Sequence, residues 1–267
     1  MSEELNLVYK TIDEQHSKES ALTRRRVVAG AAAAIGGMGL LGLPGTGQAS
    51  RRAKASINDT QTILNVAATA EVLATIVNTV GAERVNLGDA VTRRNVRAAA
   101  REELLHYNLL VRFGGKPLAT KIWVPNAVFA SRTGLLSTLE VGDQIFVNAY
   151  LIAVKTFGAA GNGDLAIIAA EFMGVEAVHR ALARQSLGKL GNDRVFMKFD
   201  QVEDARDAPN RGQRGFEDIT QAAAQLQAAG FGFGARGSKP GSFYQFEDVR
   251  KRTPSDPDLN TFIADTD

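Results

Sequence analysis

Two stretches pair a carboxylate with an imidazole at the same spacing: Glu103-Leu104-Leu105-His106 and Glu176-Ala177-Val178-His179. On an α-helix, residues three apart share a face, about one turn along. A carboxylate oxygen and a ring nitrogen so placed can grip one metal ion together. The chain has three histidines. His16 falls in an N-terminal leader, so each histidine of the remainder follows a glutamate by three places.

The motifs also mark an internal repeat, standing 73 residues apart. A duplicated helix pair then predicts one further carboxylate from the first helix of each half. In the first half it is Glu71, the only charged residue between Gln61 and Val80. In the second it is Asp143, the only charged residue between Val141 and Val154. A lone charge in an otherwise uncharged helix is costly to bury unless something pairs with it. A metal ion meets that need. Asp143 is preferred at this position, with Glu140, one turn earlier, open as the alternative. Glu102 competes with Glu103, but the match to Glu176 and His179 favours Glu103. Glu171 lies about 140° round its helix from Glu176 and reads as solvated or supporting. Tyr107 and Tyr150 fall where a phenol can donate to such a centre, but core packing is the plainer account of both. The six arginines from Arg84 to Arg112 read as a solvated helix face.

The elements that must hold these residues are helices. The periodic apolar set Ile63, Leu64, Ala67, Ala70, Ala74 and Val77 predicts a first helix over about 60–79, capped by Asn58 or Asp59. A second is expected over about 90–113, started by Asp89 and stopped by Gly114-Gly115-Lys116-Pro117. Residues 116–134 lack a helical period and read as a long crossover, with Ile122-Trp123-Val124 a short extended piece. A third helix runs over about 135–157, with Leu139, Phe146, Ala149, Tyr150 and Ala153 on its apolar face. Asp164 is a plausible cap for a fourth, which ends near Leu187. Residues 192–267 change character: a charged loop, a short Ala/Gln helix over 219–229 ended by Gly230, then Phe231, Phe233, Phe243, Tyr244 and Phe246 among glycines. That pattern suggests a tail pinned onto the helices by aromatic anchors. The domains are therefore a leader (1–49), a linker (50–58), the four-helix unit (59–191) and the C-terminal extension (192–267).

Composition narrows the class. With 267 residues, 45% hydrophobic and 22% charged, the chain can bury one substantial core. A net charge of +2, without a basic stripe interleaved with aromatics, argues against a nucleic-acid partner. The absence of Cys excludes disulfides, thiolate metal sites and a cysteine nucleophile. Thr23-Arg24-Arg25-Arg26 precedes a weakly apolar run from Val27 to Leu43, with Gly47-Gln48-Ala49 as a small-residue cleavage site. This resembles a twin-arginine export signal. It predicts delivery to the periplasm, cell envelope or exterior, with membrane contact through the leader alone. An uncleaved anchor is the alternative.

Four segments carry a family resemblance. They are Ile63 to Glu71, Glu102-Glu103-Leu104-Leu105-His106, Asp143 to Tyr150, and Glu176-Ala177-Val178-His179-Arg180. Together they resemble the exported bacterial ferritin-like domain proteins related to desiccation-associated proteins, over about residues 60–190. The resemblance implies an all-α, ferritin-like four-helix bundle with a long crossover between helices 2 and 3, followed here by a loop-rich C-terminal tail. It also implies a dinuclear iron or manganese centre. The implied ligands are Glu71, Glu103, His106, Asp143, Glu176 and His179, with Asp143 where the family usually has Glu. Asp is one methylene shorter, so the resemblance implies weak binding there, binding through water, or a second metal that is poorly held.

The functional expectation is an exported redox protein binding two iron or manganese ions and acting on dioxygen, peroxide or Fe(II), that is, a di-metal oxidoreductase of ferroxidase, peroxidase or oxidase type. The alternative is a non-catalytic envelope stress or scaffold protein whose metal site is structural or vestigial. Storage would require a cage-like homo-oligomer. Other motifs carry less. Gly232-Phe233-Gly234-Ala235-Arg236-Gly237 matches G-x-G-x-x-G in letters, but it follows a helix rather than a strand and is not read as a phosphate cradle.

Overall fold

The computed structural model describes residues 58–191 and 215–255. The leader expected at 1–49, nearly all of the linker and much of the charged loop after 191 lie outside them.

Each long helix starts where a short polar side chain takes up a free backbone N–H. Helix α1 (Thr60–Arg84) is capped by Asp59, which accepts from Thr62 N at 2.9 Å. Helix α2 (Ala90–Arg112) is capped by Asp89, which accepts from Thr92 N at 2.7 Å. Ser131 caps α3 (Arg132–Ala159) and Asn162 caps α4 (Gly163–Ser186). The cap of α4 is thus Asn162 rather than Asp164, which lies inside the first turn. The first and third helices both outrun their apolar periods. In α1, Gly81 continues the helix, and a Cβ there would press on the Leu135 side chain.

The four helices form two pairs, α1 with α2 and α3 with α4, and the pairs meet where α1 touches α3 and α2 touches α4. Helix α1 is buried nearly all round from Ile63 to Gly81, which explains why its sequence carries no polar stripe. It is long and apolar enough by composition to cross a membrane, yet 89% of its apolar window is buried inside this protein.

The all-α expectation needs a correction. The crossover contributes strand β1 (Lys121–Pro125), and the tail contributes β2 (Gly232–Phe233) and β3 (Gly241–Gln245). They form a three-stranded sheet in the order β2-β1-β3, antiparallel throughout. The extended piece around Trp123 is therefore the centre of a sheet, with Trp123 opposite Gly232 and Phe243. The side chain of Trp123 donates to Lys239 O at 2.9 Å. Gly232 to Gly237 starts in β2 and then bends back closely, and is not a cradle: a Cβ on Gly237 would collide with the carbonyl oxygen of Gly230.

The tail is fixed by more than aromatics. Helix α5 (Thr220–Ala228) ends at Gly230, whose φ of 106° favours glycine. Asn148 on α3 holds both backbone groups of Phe216, donating to its O at 2.9 Å and accepting from its N at 3.2 Å. Helix α6 (Phe246–Arg250) packs on α1, with Phe246 fully buried against the Tyr107 ring. Arg252 then makes a two-pronged pair with Glu83 at 3.0 and 3.1 Å.

Candidate metal centre

Midway along the helix pairs, α1 supplies Glu71, α2 supplies Glu103 and His106, and α4 supplies Glu176 and His179. Glu71, Glu103 and Glu176 are each fully buried, with His106 and His179 only 5% and 8% exposed. One ligand atom each from Glu71, Glu103, His106 and Glu176 lies within 4.8 Å of the others, so this cluster could hold a metal ion.

The distances divide the cluster into two halves. His106 Nδ1 faces Glu71 Oε2 at 3.7 Å, Glu103 Oε2 at 3.6 Å and Glu176 Oε1 at 3.5 Å. His179 Nδ1 faces the opposite oxygens of the same two glutamates, Glu103 Oε1 at 3.2 Å and Glu176 Oε2 at 3.7 Å. Glu103 and Glu176 therefore each present one oxygen to each imidazole. Most of these separations are too long for hydrogen bonds. They are about what two ligands of one ion show when each stands about 2.1 Å from it.

Hydrogen bonding points the same way. Glu71 Oε2, both oxygens of Glu103 and of Glu176, Asp143 Oδ2, and Nδ1 of both histidines are buried with no hydrogen-bond partner among the described residues. Buried polar atoms are nearly always satisfied, and a cluster of orphans facing one another fits a cation that takes them all.

Protonation is correspondingly displaced. Burial first, then the charge of Glu103, pushes the Glu71 carboxyl up to about 8. Burial and the charge of Glu176 drive Asp143 well above the usual carboxylate range, while His179 and Arg180 pull the other way. Burial alone would push His106 down, but Glu103, Glu176 and Glu71 outweigh it and hold the imidazole well above its ordinary value. His179 is raised in the same sense by Glu102, Glu103 and Glu176 against the effect of burial. Without a metal, burial and the neighbouring charges favour protons on Glu71, Asp143 and the two imidazoles.

All six residues singled out by spacing are buried, and five of them make the contacts above. Asp143 on α3, 5% exposed, borders the same cleft as His179 and feels the charges of Glu176, His179 and Glu103. It thus belongs to the His179 half, as Glu71 belongs to the His106 half. Glu140 is engaged elsewhere: Arg184 and Lys189 hold its two oxygens at 2.5 and 2.6 Å. Glu171 is exposed, and Tyr107 packs against Phe246 with its ring centroid 4.5 Å away.

Two residues weighed from spacing take supporting roles other than the ones preferred for them. Glu102 sits at 2.6 Å from His179 Nε2. A carboxylate accepts, so Nε2 carries the proton and a neutral His179 keeps Nδ1 free as a ligand. Adjacency to Glu103 put Glu102 in view, but its partner on the other motif shows only in three dimensions. Tyr150 donates to Glu71 Oε1, so packing alone is not its role. Its position seven residues after Asp143, two turns along one helix face, was the available signal.

No protein-family model, curated protein or solved structure matches the chain.

Proposed function

We propose that this chain is an exported ferritin-like protein holding two iron or manganese ions, redox-active toward dioxygen, peroxide or Fe(II). The observation that carries the reading is the sharing of Glu103 and Glu176 between two imidazoles, with one oxygen of each toward each ring nitrogen. Glu71 and His106 would serve one ion, Asp143 and His179 the other, and the two shared carboxylates both. A sulfur-free set of carboxylates and imidazoles suits iron or manganese, and such a pair supplies two electrons to a small oxidant.

The protein's own residues do the rest. Glu102 fixes the tautomer and tilt of His179. Tyr150 holds one oxygen of Glu71 and leaves the other toward His106. The apolar wall of Phe172 and the core of α1 keep bulk water away, which strengthens every charge interaction inside. Export through a twin-arginine leader would deliver the protein already folded.

Elemental analysis of purified protein tests this directly. Two iron or manganese ions per chain are expected, lost in the Glu103→Ala, Glu176→Ala double variant. Wild-type protein that takes up neither metal would remove the proposal. A structural or vestigial site, the second reading, is favoured by the near-complete enclosure of the cluster. It predicts metal-dependent melting without Fe(II) or peroxide turnover above that of the double variant.

A further inference from the structure

The two halves of the centre differ in how they meet the outside. A cleft among the four long helices, with a cavity volume of about 20 Å³, is lined by Asn78, Asn95, Asp143, His179 and Leu182 among others. It reaches two of the six candidate ligands, both in the second half. Glu71 and His106 do not line it. On their side, Phe172 stacks on His106 at 4.0 Å, Tyr150 closes edge-on over Phe172 at 5.5 Å, and the Tyr150 phenol holds Glu71.

Size and polarity of the cleft restrict what passes. A cavity of this volume takes about one water-sized molecule, too little for an organic substrate or a hydrated metal ion. Its other polar lining is amide and hydroxyl: Asn78, Thr92, Asn95 and Ser186. Asn78 is 1% exposed, and its amide nitrogen donates to Ala74 O at 3.1 Å. That bond fixes which way the amide faces. The remaining Oδ1 has no partner among the described residues, an acceptor that a small donor would satisfy.

We propose that this cleft is the access route for hydrogen peroxide, a neutral hydrogen-bond donor a little larger than water, and that it opens onto the His179–Asp143 half alone. The inference rests on the reading of the cluster as a metal centre, but the route belongs to the protein and is measurable without metal.

The chain has no cysteine, so one introduced thiol is a unique reporter. In metal-free protein, Asp143→Cys places it at the inner end of the cleft and Glu71→Cys in the closed half. Peroxide gives one oxygen to a thiol, forming sulfenic acid and water, followed as one oxygen's mass on the peptide that carries the cysteine, apart from the four methionines that also take up oxygen. Asp143→Cys is expected to react at least about tenfold faster than Glu71→Cys. Adding Asn95→Trp or Leu182→Trp is expected to slow Asp143→Cys by about tenfold or more, and Asn78→Leu by about threefold. Equal rates for the two reporters, or a rate that neither tryptophan changes, overturn the route. No effect of Asn78→Leu overturns the guiding role given to the Asn78 acceptor. If Glu71→Cys does not fold, the tryptophan comparison decides. Failure of the wild-type protein to take up metal would remove the proposed function and leave these rates as they are.

Discussion

Titrating the metal-free protein should reverse the usual dependence of stability on pH, and adding metal should restore it. The perturbation is a pH series from 5 to 8.5, with and without Mn(II). In most proteins, native carboxylates are paired and titrate low, so acid destabilises. Here Glu71 is held up at about 8 against an ordinary 4.5 by burial and by Glu103. The folded form keeps its proton where the unfolded chain has lost it. The stability this represents is fully present below 4.5 and drains away as pH rises to about 8. His106 and His179 add the same sign, because both are raised. Their protonated forms stabilise the fold below about 6.5, and that contribution is lost as pH climbs through the folded values.

At roughly 1.4 kcal/mol for each pH unit of displacement, Glu71 ionising alone would cost about 5 kcal/mol. That is a ceiling, since neighbouring imidazoles share the charge. For a chain of this size, roughly 2–4 °C in Tm accompanies each kcal/mol, so a fall of about 10 °C across the series is expected. Mn(II) competes with those protons and therefore binds better as pH rises. At about a thousand times its Kd it adds about 4 kcal/mol, mostly at the alkaline end. Differential scanning calorimetry reads both curves. A metal-free Tm that is flat or rises between pH 5 and 8, or a metal effect no larger at pH 8 than at pH 5, would refute the account of protons standing in for metal.

Other substitutions separate the centre from the scaffold around it. Glu102→Ala is expected to weaken metal binding at the His179 half by about 10–100-fold, with partial rescue by Glu102→Gln. Isothermal titration should show it as loss of one of two sites. Glu140→Ala strips Arg184 and Lys189 of their carboxylate, and breaking a buried pair on one side costs about 3–5 kcal/mol. Urea melts should show that loss, with metal stoichiometry unchanged. Asn148→Ala leaves the buried backbone of Phe216 without partners, at about 2–3 kcal/mol. Limited proteolysis should then release the segment after residue 215 faster than in the wild-type protein.

How far the sequence carries the structure differs from element to element. The four long helices were legible because apolar periodicity and short polar caps are local signals, and Asp59 and Asp89 act as their spacing implies. The extra turns in α1 and α3 were not, since packing against neighbours, as of Gly81 on Leu135, extends a helix past its periodic stretch. Ile122 to Val124 read as extended, yet its partners lie over 100 residues away in the tail, and nothing local encodes that register. Glu71 and Asp143 stood out because a lone charge in an apolar helix demands a reason. Glu102 and Tyr150 were in view but their partners were not, because each acts on another helix: Glu102 on His179, Tyr150 on Glu71.

Two buried acidic clusters in one fold follow opposite logic, and the contrast argues for the metal. Glu140 lies on α3 one turn from Asp143, is 1% exposed, and has a cation on each oxygen. It is a finished structural contact. Glu103 and Glu176 are as deeply buried, yet among the described residues they face the two titratable histidines and the carboxyls of Glu71 and Asp143, with four oxygens unsatisfied. A chain able to place Arg184 and Lys189 on Glu140 had the means to pair those glutamates too. Leaving them unpaired costs stability at neutral pH, a cost concentrated at one point between four helices that a bound cation would offset.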